Sequence, residues 1–196
     1  MISRVLAADL PRHVGEHVMI AGWLHRRREL KSVTFLIVRD RSGLAQVVLR
    51  EDPGAPPGLT EETVIEVRGL VAASPQAPGG AELTSPVITA LSGPAEPPPL
   101  EIYRPAITAG LPAILDGAPA SLRHPALRAG FELAAATVAG FREALDGLGF
   151  TEIHTPKIVE SATESGANVF GIDYFGRPAY LAQSPQFYKQ ALVGVF

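Results

Sequence analysis

The chain has 196 residues, 46% of them hydrophobic and 19% charged, with a formal net charge of −3. That is enough apolar material for one large domain or two small ones, and too much for a disordered chain; the total charge does not by itself point to nucleic acid. The absence of cysteine excludes disulfides, thiolate metal sites and a cysteine nucleophile.

The N-terminal stretch MISRVLAADLPRHVG carries no long apolar run and does not read as a signal peptide. No later stretch approaches the length of a membrane span. The expectation is a soluble, cytoplasmic protein with no membrane partner. HVMIAGWLHRR, VTFLIVRD, LAQVVLR, TVIEVRGLVAA and ELTSPVITAL then follow as short runs rich in Val, Ile, Leu and Thr. The turn signals Arg41-Ser42-Gly43, Asp52-Pro53-Gly54 and Ala77-Pro78-Gly79-Gly80 separate them. Five strands within residues 17–91 suit a small closed barrel such as an OB-fold.

Residues 92–121 are dense in Pro, Gly and Ala, and Pro97-Pro98-Pro99 favours a stiff, extended backbone. Leu127, Phe131, Ala134, Val138, Phe141, Leu145 and Leu148 recur every three or four residues and predict a helix over 125–148. Pro125 fits its first turn and Gly149 its end. FTEIHTPKI reads as a short β-like run ended by Pro156, VESATESGANVFGIDYFG as a loop leading into a turn, and AYLAQ as a strand; from Ser184 the pattern is helical. The organisation expected is α+β and multidomain: a barrel over 1–95, a hinge over 96–121 and a second domain over 122–196.

Charge is uneven along the barrel. Arg26, Arg27, Arg28, Lys31, Arg39 and Arg41 face only Glu29 and Asp40, with Trp23 and Phe35 among them. A basic groove with an exposed aromatic is what single-stranded nucleic acid needs, since charge follows the backbone while a ring stacks on a base. The competing reading makes Trp23 and Phe35 core residues and the arginines a solvated turn. On the last helix, Gln186 and Lys189 are spaced to share a face. There the plainer reading is a lysine that snorkels from an amphipathic helix.

GWLHRRREL and VTFLIVRDRSGLAQVV resemble the anticodon-binding OB domain of aspartyl-tRNA synthetases. LRHPALRAGFELAAATVAGFREALDGLGFTEIHTPKI resembles the first motif of the class II synthetases, and TESGANVFGIDYFGRPAYLAQSPQFYKQ resembles the aspartate pocket of the archaeal-type enzymes. The resemblance covers nearly the whole chain, and QSPQFYKQ is its most specific part. It implies a five-stranded OB barrel followed by the first part of an antiparallel-sheet catalytic domain. It implies ATP-dependent attachment of L-aspartate to tRNA(Asp) through an aspartyl-adenylate. ATP and Mg2+ are the implied cofactors, with no Mg2+ ligand in this chain, and a homodimer through the first motif is the implied assembly.

The resemblance also assigns roles. Lys189 would hold the aspartate side-chain carboxylate. Gln186 and Ser184 would supply neutral hydrogen bonds, and Glu164 would meet the α-amino group. Phe35 would stack on the central anticodon base, with Arg26, Arg28, Gln46 and Glu82 touching anticodon backbone or bases. His25 with Pro86 resembles the relaxed type that also accepts tRNA(Asn). The family's second and third motifs, with their ATP-binding arginines, do not occur before Phe196. The chain is therefore expected to be the N-terminal part of a synthetase, inactive in adenylate formation by itself. A tRNA- or RNA-binding OB module without catalysis is the alternative.

Overall fold

The computed structural model describes residues 2–50, 56–96, 98–161 and 168–196. The chain divides into two compact units, Met1–Ala129 and Gly130–Phe196.

The first unit is built on five strands: β1 (His17–Glu29), β2 (Thr34–Arg39), β3 (Leu44–Leu49), β4 (Val64–Ala73) and β5 (Ala81–Ala90). They close into a barrel in the order β1-β2-β3-β5-β4. Every neighbouring pair is antiparallel except β3 and β5, which run parallel and meet at Gln46↔Glu82 and Val47↔Leu83. Alternation along each strand sends one set of side chains inward. Val18, Ile20, Leu24, Leu36, Val38, Val47, Ile65, Val67, Val71 and Leu83 are almost wholly buried and form one core. A 3-10 helix, Ala7–His13, closes one end, with Ala7 and Leu10 in that core. Asp40 ties it down: its carboxylate accepts from Ala7 N–H at 2.8 Å and from the Ser42 and Gly43 N–H groups in the turn after β2. Gly22 permits a close strand approach, because a Cβ there would lie 2.2 Å from the Arg39 carbonyl oxygen.

The other set of side chains on β1, β2 and β3 faces outward in three rows. Trp23 pairs with Arg39 and Arg39 with Leu44; Arg26 pairs with Ile37 and Ile37 with Gln46; Arg28 pairs with Phe35 and Phe35 with Val48. The segment after the barrel covers the β1 and β2 side of the first two rows, leaving Leu44 exposed and Gln46 on the open side. Ile102 is buried, and the Arg26 guanidinium lies 3.7 Å from the centre of the Tyr103 ring while bonding Glu61 at 2.9 Å. Thr60 Oγ1 donates to the Ala95 carbonyl at 2.7 Å. The expected extended hinge instead contains two short helices, α1 (Leu111–Asp116) and α2 (Ala118–Ser121). Each has a proline in its first turn, where the missing N–H costs nothing. Pro112 and Pro119 mark the helix starts, while Pro97 of the run expected to be extended lies outside the described residues.

The anchor of this arrangement is Glu62, whose side chain is 4% exposed. Arg39 donates to both of its carboxylate oxygens, at 2.8 and 2.7 Å, and Arg123 donates to Oε2. The Trp23 ring lies beneath both guanidinium groups. Arg39 also donates to His25 Nδ1 at 2.8 Å. Burial, and then the charge of Arg39, bring His25 down to about 4, so it is neutral in the fold. Burial pushes the Glu62 carboxyl up, but the hydrogen bonds and charge of Arg39 and Arg123 outweigh it and hold the group below its ordinary value.

α3 (Pro125–Gly147) runs from the first unit into the second. Gly149, at φ +81°, ends it, with Phe150 N–H donating to the Leu145 carbonyl. The stripe read from the sequence is present but uncovered: Phe131 and Phe141 are 64% and 66% exposed. The second unit also holds β6 (Ile158–Val159), β7 (Gly171–Tyr174), β8 (Arg177–Leu181) and α4 (Gln186–Leu192), with sheet order β6-β8-β7. The β-like run before Pro156 is irregular. Its strand begins only at Ile158, which meets Leu181 of β8, and no described strand pairs with residues 151–155. Among the described residues no helix is long and apolar enough to cross a membrane.

Removing the Glu62 charge leaves Arg39 buried without its anion. Glu62→Gln is expected to lower stability by about 3–5 kcal/mol in urea unfolding. The pH dependence follows from the two shifted groups. The unfolded chain protonates His25 near 6.5 while the fold resists, so stability declines as pH falls from about 6.5 towards 4. The depressed Glu62 carboxyl contributes stability above its unfolded value near 4.5, which is lost as pH falls through its folded value. Glu62→Gln should therefore flatten the acid limb below about pH 4.5; an unchanged limb would mean that Glu62 does not anchor the fold.

Candidate functional site

The third row of the outer face stays open. There a groove of about 830 Å³ is lined by Arg28, Phe35, Gln46, Val48, Arg50 and Glu82, among others. β1 supplies the guanidinium of Arg28, β2 the ring of Phe35, and β3 and β5 the polar pair. The parallel junction puts Gln46 beside Glu82, and Gln46 Nε2–H donates to Glu82 Oε2 at 2.8 Å. That bond fixes both side chains. It leaves the Gln46 carbonyl oxygen and the second Glu82 oxygen as acceptors on the groove. A partly buried ring, a fixed pair of acceptors and exposed guanidinium groups form a surface on which an unpaired base can stack, be read at its edge and have its phosphates held.

The structure thus brings together Arg28, Phe35, Gln46 and Glu82. Arg26 lies outside this groove, stacked on Tyr103 and paired with Glu61. His25 is 7% exposed and bonded to Arg39, and Pro86 follows Ser85, whose φ is +48°, beside a register shift between β4 and β5. Neither lines the groove. Trp23 is neither free nor core: it is 36% exposed and roofed by Arg39 and Arg123. Arg50 was not singled out from the sequence, because the basic cluster was delimited along the chain at Arg41. The signal was the period of two that Gln46 and Val48 follow along β3 and that Arg50, just past its end, continues into the groove.

In the second unit, Lys189 projects from α4 into an apolar groove of about 500 Å³ with Leu148, Phe150, Ile153, Leu192 and Phe196. Gln186, one turn earlier on α4, is exposed. Ser184 Oγ is buried with no hydrogen-bond partner among the described residues. An ammonium on an apolar floor suits a small anionic molecule; neither Ser184 nor Gln186 lines this groove. Glu164 lies outside the described residues. β7, β8 and the turn between them form a hairpin: β8 overlaps the strand expected at AYLAQ, whereas β7 lies within the stretch expected as a loop. Phe175 and Gly176 both take positive φ, +52° and +78°, which a two-residue hairpin turn demands.

Comparison with known proteins gives two family matches along the chain. Residues 18–91 match the OB-fold nucleic acid binding domain family, and residues 115–196 match the tRNA synthetases class II (D, K and N). An aspartate–tRNA(Asp/Asn) ligase of Thermus thermophilus is 46% identical over 98% of this chain and 45% of its own length. One from Deinococcus radiodurans is 44% identical over 100% of this chain and 44% of its own length. Among solved structures, asparaginyl-tRNA synthetase from Pyrococcus horikoshii complexed with asparaginyl-adenylate superposes with a TM-score of 0.85 at 30% identity. It is matched over 99% of this chain and 46% of that one. The chain spans about half the length of the curated relatives it matches.

Proposed function

We infer that this chain, which belongs to the class II tRNA synthetases of the D, K and N group, serves the ATP-dependent joining of L-aspartate to tRNA(Asp) and tRNA(Asn) in the cytoplasm. The observation that carries the reading is the groove of the first unit. Phe35 takes the central anticodon base on its ring, the Gln46–Glu82 pair reads base edges and Arg28 holds the backbone. The names of the relatives support aspartate as the amino acid and both tRNAs as acceptors. Acceptance of both tRNAs does not need His25, whose ring is occupied within the Glu62 cluster.

In the second unit Lys189 supplies the positive charge that an aspartate side chain requires. A carboxylate entering an apolar groove meets a heavy desolvation cost unless a cation pairs with it. A neutral amide or an ammonium side chain would not call for this lysine. Ser184 and Gln186 add neutral hydrogen bonds, and Glu164 pairs with the α-amino group. ATP supplies the adenylate. Among the described residues no group of three or more His, Asp or Glu could hold a metal ion. The exposed stripe of α3 supports pairing with a second copy, giving a homodimer.

Anticodon stem-loops test the first half. The chain is expected to bind loops carrying GUC and GUU alike and to lose binding when the central uridine is replaced. Equal weak binding of all three sinks the anticodon reading. Phe35→Ala is expected to cost about 1–3 kcal/mol of binding, measured by the same titration. For the second half, Lys189→Met in an enzyme of the relatives' full length should sharply raise the aspartate concentration needed for pyrophosphate exchange while tRNA binding holds. Normal aspartate activation by that variant removes Lys189 from the pocket.

A further inference from the structure

The arginines of the barrel divide into two kinds. Arg26 is paired with Glu61, Arg27 with Glu29, Arg39 with Glu62 and Arg68 with Glu66. Those four cations are spent on the fold's own carboxylates. Arg28 and Arg50 make no ion pair among the described residues, are both exposed, and both line the groove around Phe35. The sheet places them on opposite sides of that ring. Arg28 stands directly across from Phe35 on β1. Val48 stands directly across on the other side, and Arg50, the residue just past the end of β3, lines the same groove as Val48. Directly opposed and diagonal neighbours on one face of a sheet lie within reach of long side chains. Lys31 and Arg41 have no ion-pair partner among the described residues either, but they do not line the groove.

We propose that Arg50 is a backbone-binding residue for single-stranded RNA, taking one of the two phosphates that flank the nucleotide stacked on Phe35, while Arg28 takes the other. A guanidinium presents a planar fork that matches a phosphate, and an exposed arginine with no carboxylate partner among the described residues need break no ion pair there to use it. Arg50 therefore contributes charge and register, whereas Gln46 and Glu82 contribute base choice. The inference deepens the anticodon reading of this groove and rests on it for the identity of the RNA, but not for the contact itself.

The test uses the 196-residue chain with two probes, the GUC stem-loop and an oligouridylate of similar length. Each is titrated between about 50 and 200 mM salt, where each phosphate contact adds a slope of about 0.7–0.9 to the fall of log K with log salt. Arg50→Gln is expected to lower that slope by about one contact on both probes, Arg50→Lys to keep it, and the preference of the loop for its central uridine to survive in both variants. An unchanged slope in Arg50→Gln, with Arg28→Gln lowering it, overturns the role of Arg50 and leaves the anticodon reading standing. Loss of base preference in Arg50→Gln without a change in slope overturns it too, by making Arg50 a base reader. If wild type shows no preference among loops but Arg50→Gln still lowers the slope on both probes, the anticodon reading fails and the phosphate contact stands.

Discussion

The buried pairing of Glu62 with Arg39 and Arg123 is the constraint on which the first unit depends. A carboxylate that is almost wholly enclosed is tolerable only with its charge matched and its oxygens hydrogen-bonded. Two arginines do this, one from β2 and one from the segment leading into α3. Because Arg123 comes from beyond the Pro-rich stretch, satisfying Glu62 draws that stretch back over the outer face of the sheet. Tyr103 on Arg26 and Ala95 against Thr60 follow the same path. One face is thereby partitioned, the β1 and β2 side of its first rows roofed by the chain's own linker and its last row left to solvent.

The partition explains why so few of the basic residues remain for a ligand. In the sequence the arginines form one cluster; in the fold most are neutralised at short range, and only those around Phe35 keep an open guanidinium inside the groove. Of the neutralised arginines, Arg39 and Arg123 share Glu62 and so hold the linker against the barrel. The modest net charge of −3 is compatible with nucleic-acid binding for this reason. What matters to an RNA backbone is the local field along one groove, not the total.

Much of this was legible in the residues. The five strands and their turns came from alternation and from Gly- and Pro-bearing breaks, signals that are local and strong because one face of each strand is buried. The stripe of α3 and the helical turn from Ser184 were equally plain. Phe35, Gln46 and Glu82 could be named from the resemblance, and their convergence is a product of barrel closure that no local pattern carries. Other features escaped for physical reasons. The Phe175-Gly176 turn lacks the Asn-Gly signature, so β7 was hidden inside an apparent loop. The run ending at Pro156 has strand-forming residues, but a strand needs a partner, and pairing starts only at Ile158. The burial of His25 and Glu62 was invisible because it depends on Arg123, 61 positions from Glu62 along the chain.

The parallel seam between β3 and β5 has a consequence for dynamics. It is held by two register pairs, whereas β4 and β5 share eight, and parallel pairing is slightly less stable per residue than antiparallel. The seam is therefore the place where the barrel opens first. Gln46 and Glu82 sit in it, so a transient opening parts their hydrogen bond while the rest of the core stays packed. An RNA bound across the seam adds its binding free energy to the closed form alone. Amide protons of β3 and β5 should then gain protection from solvent exchange on binding, far more than those of β1 and β4, making the ligand a latch on the barrel's weakest joint.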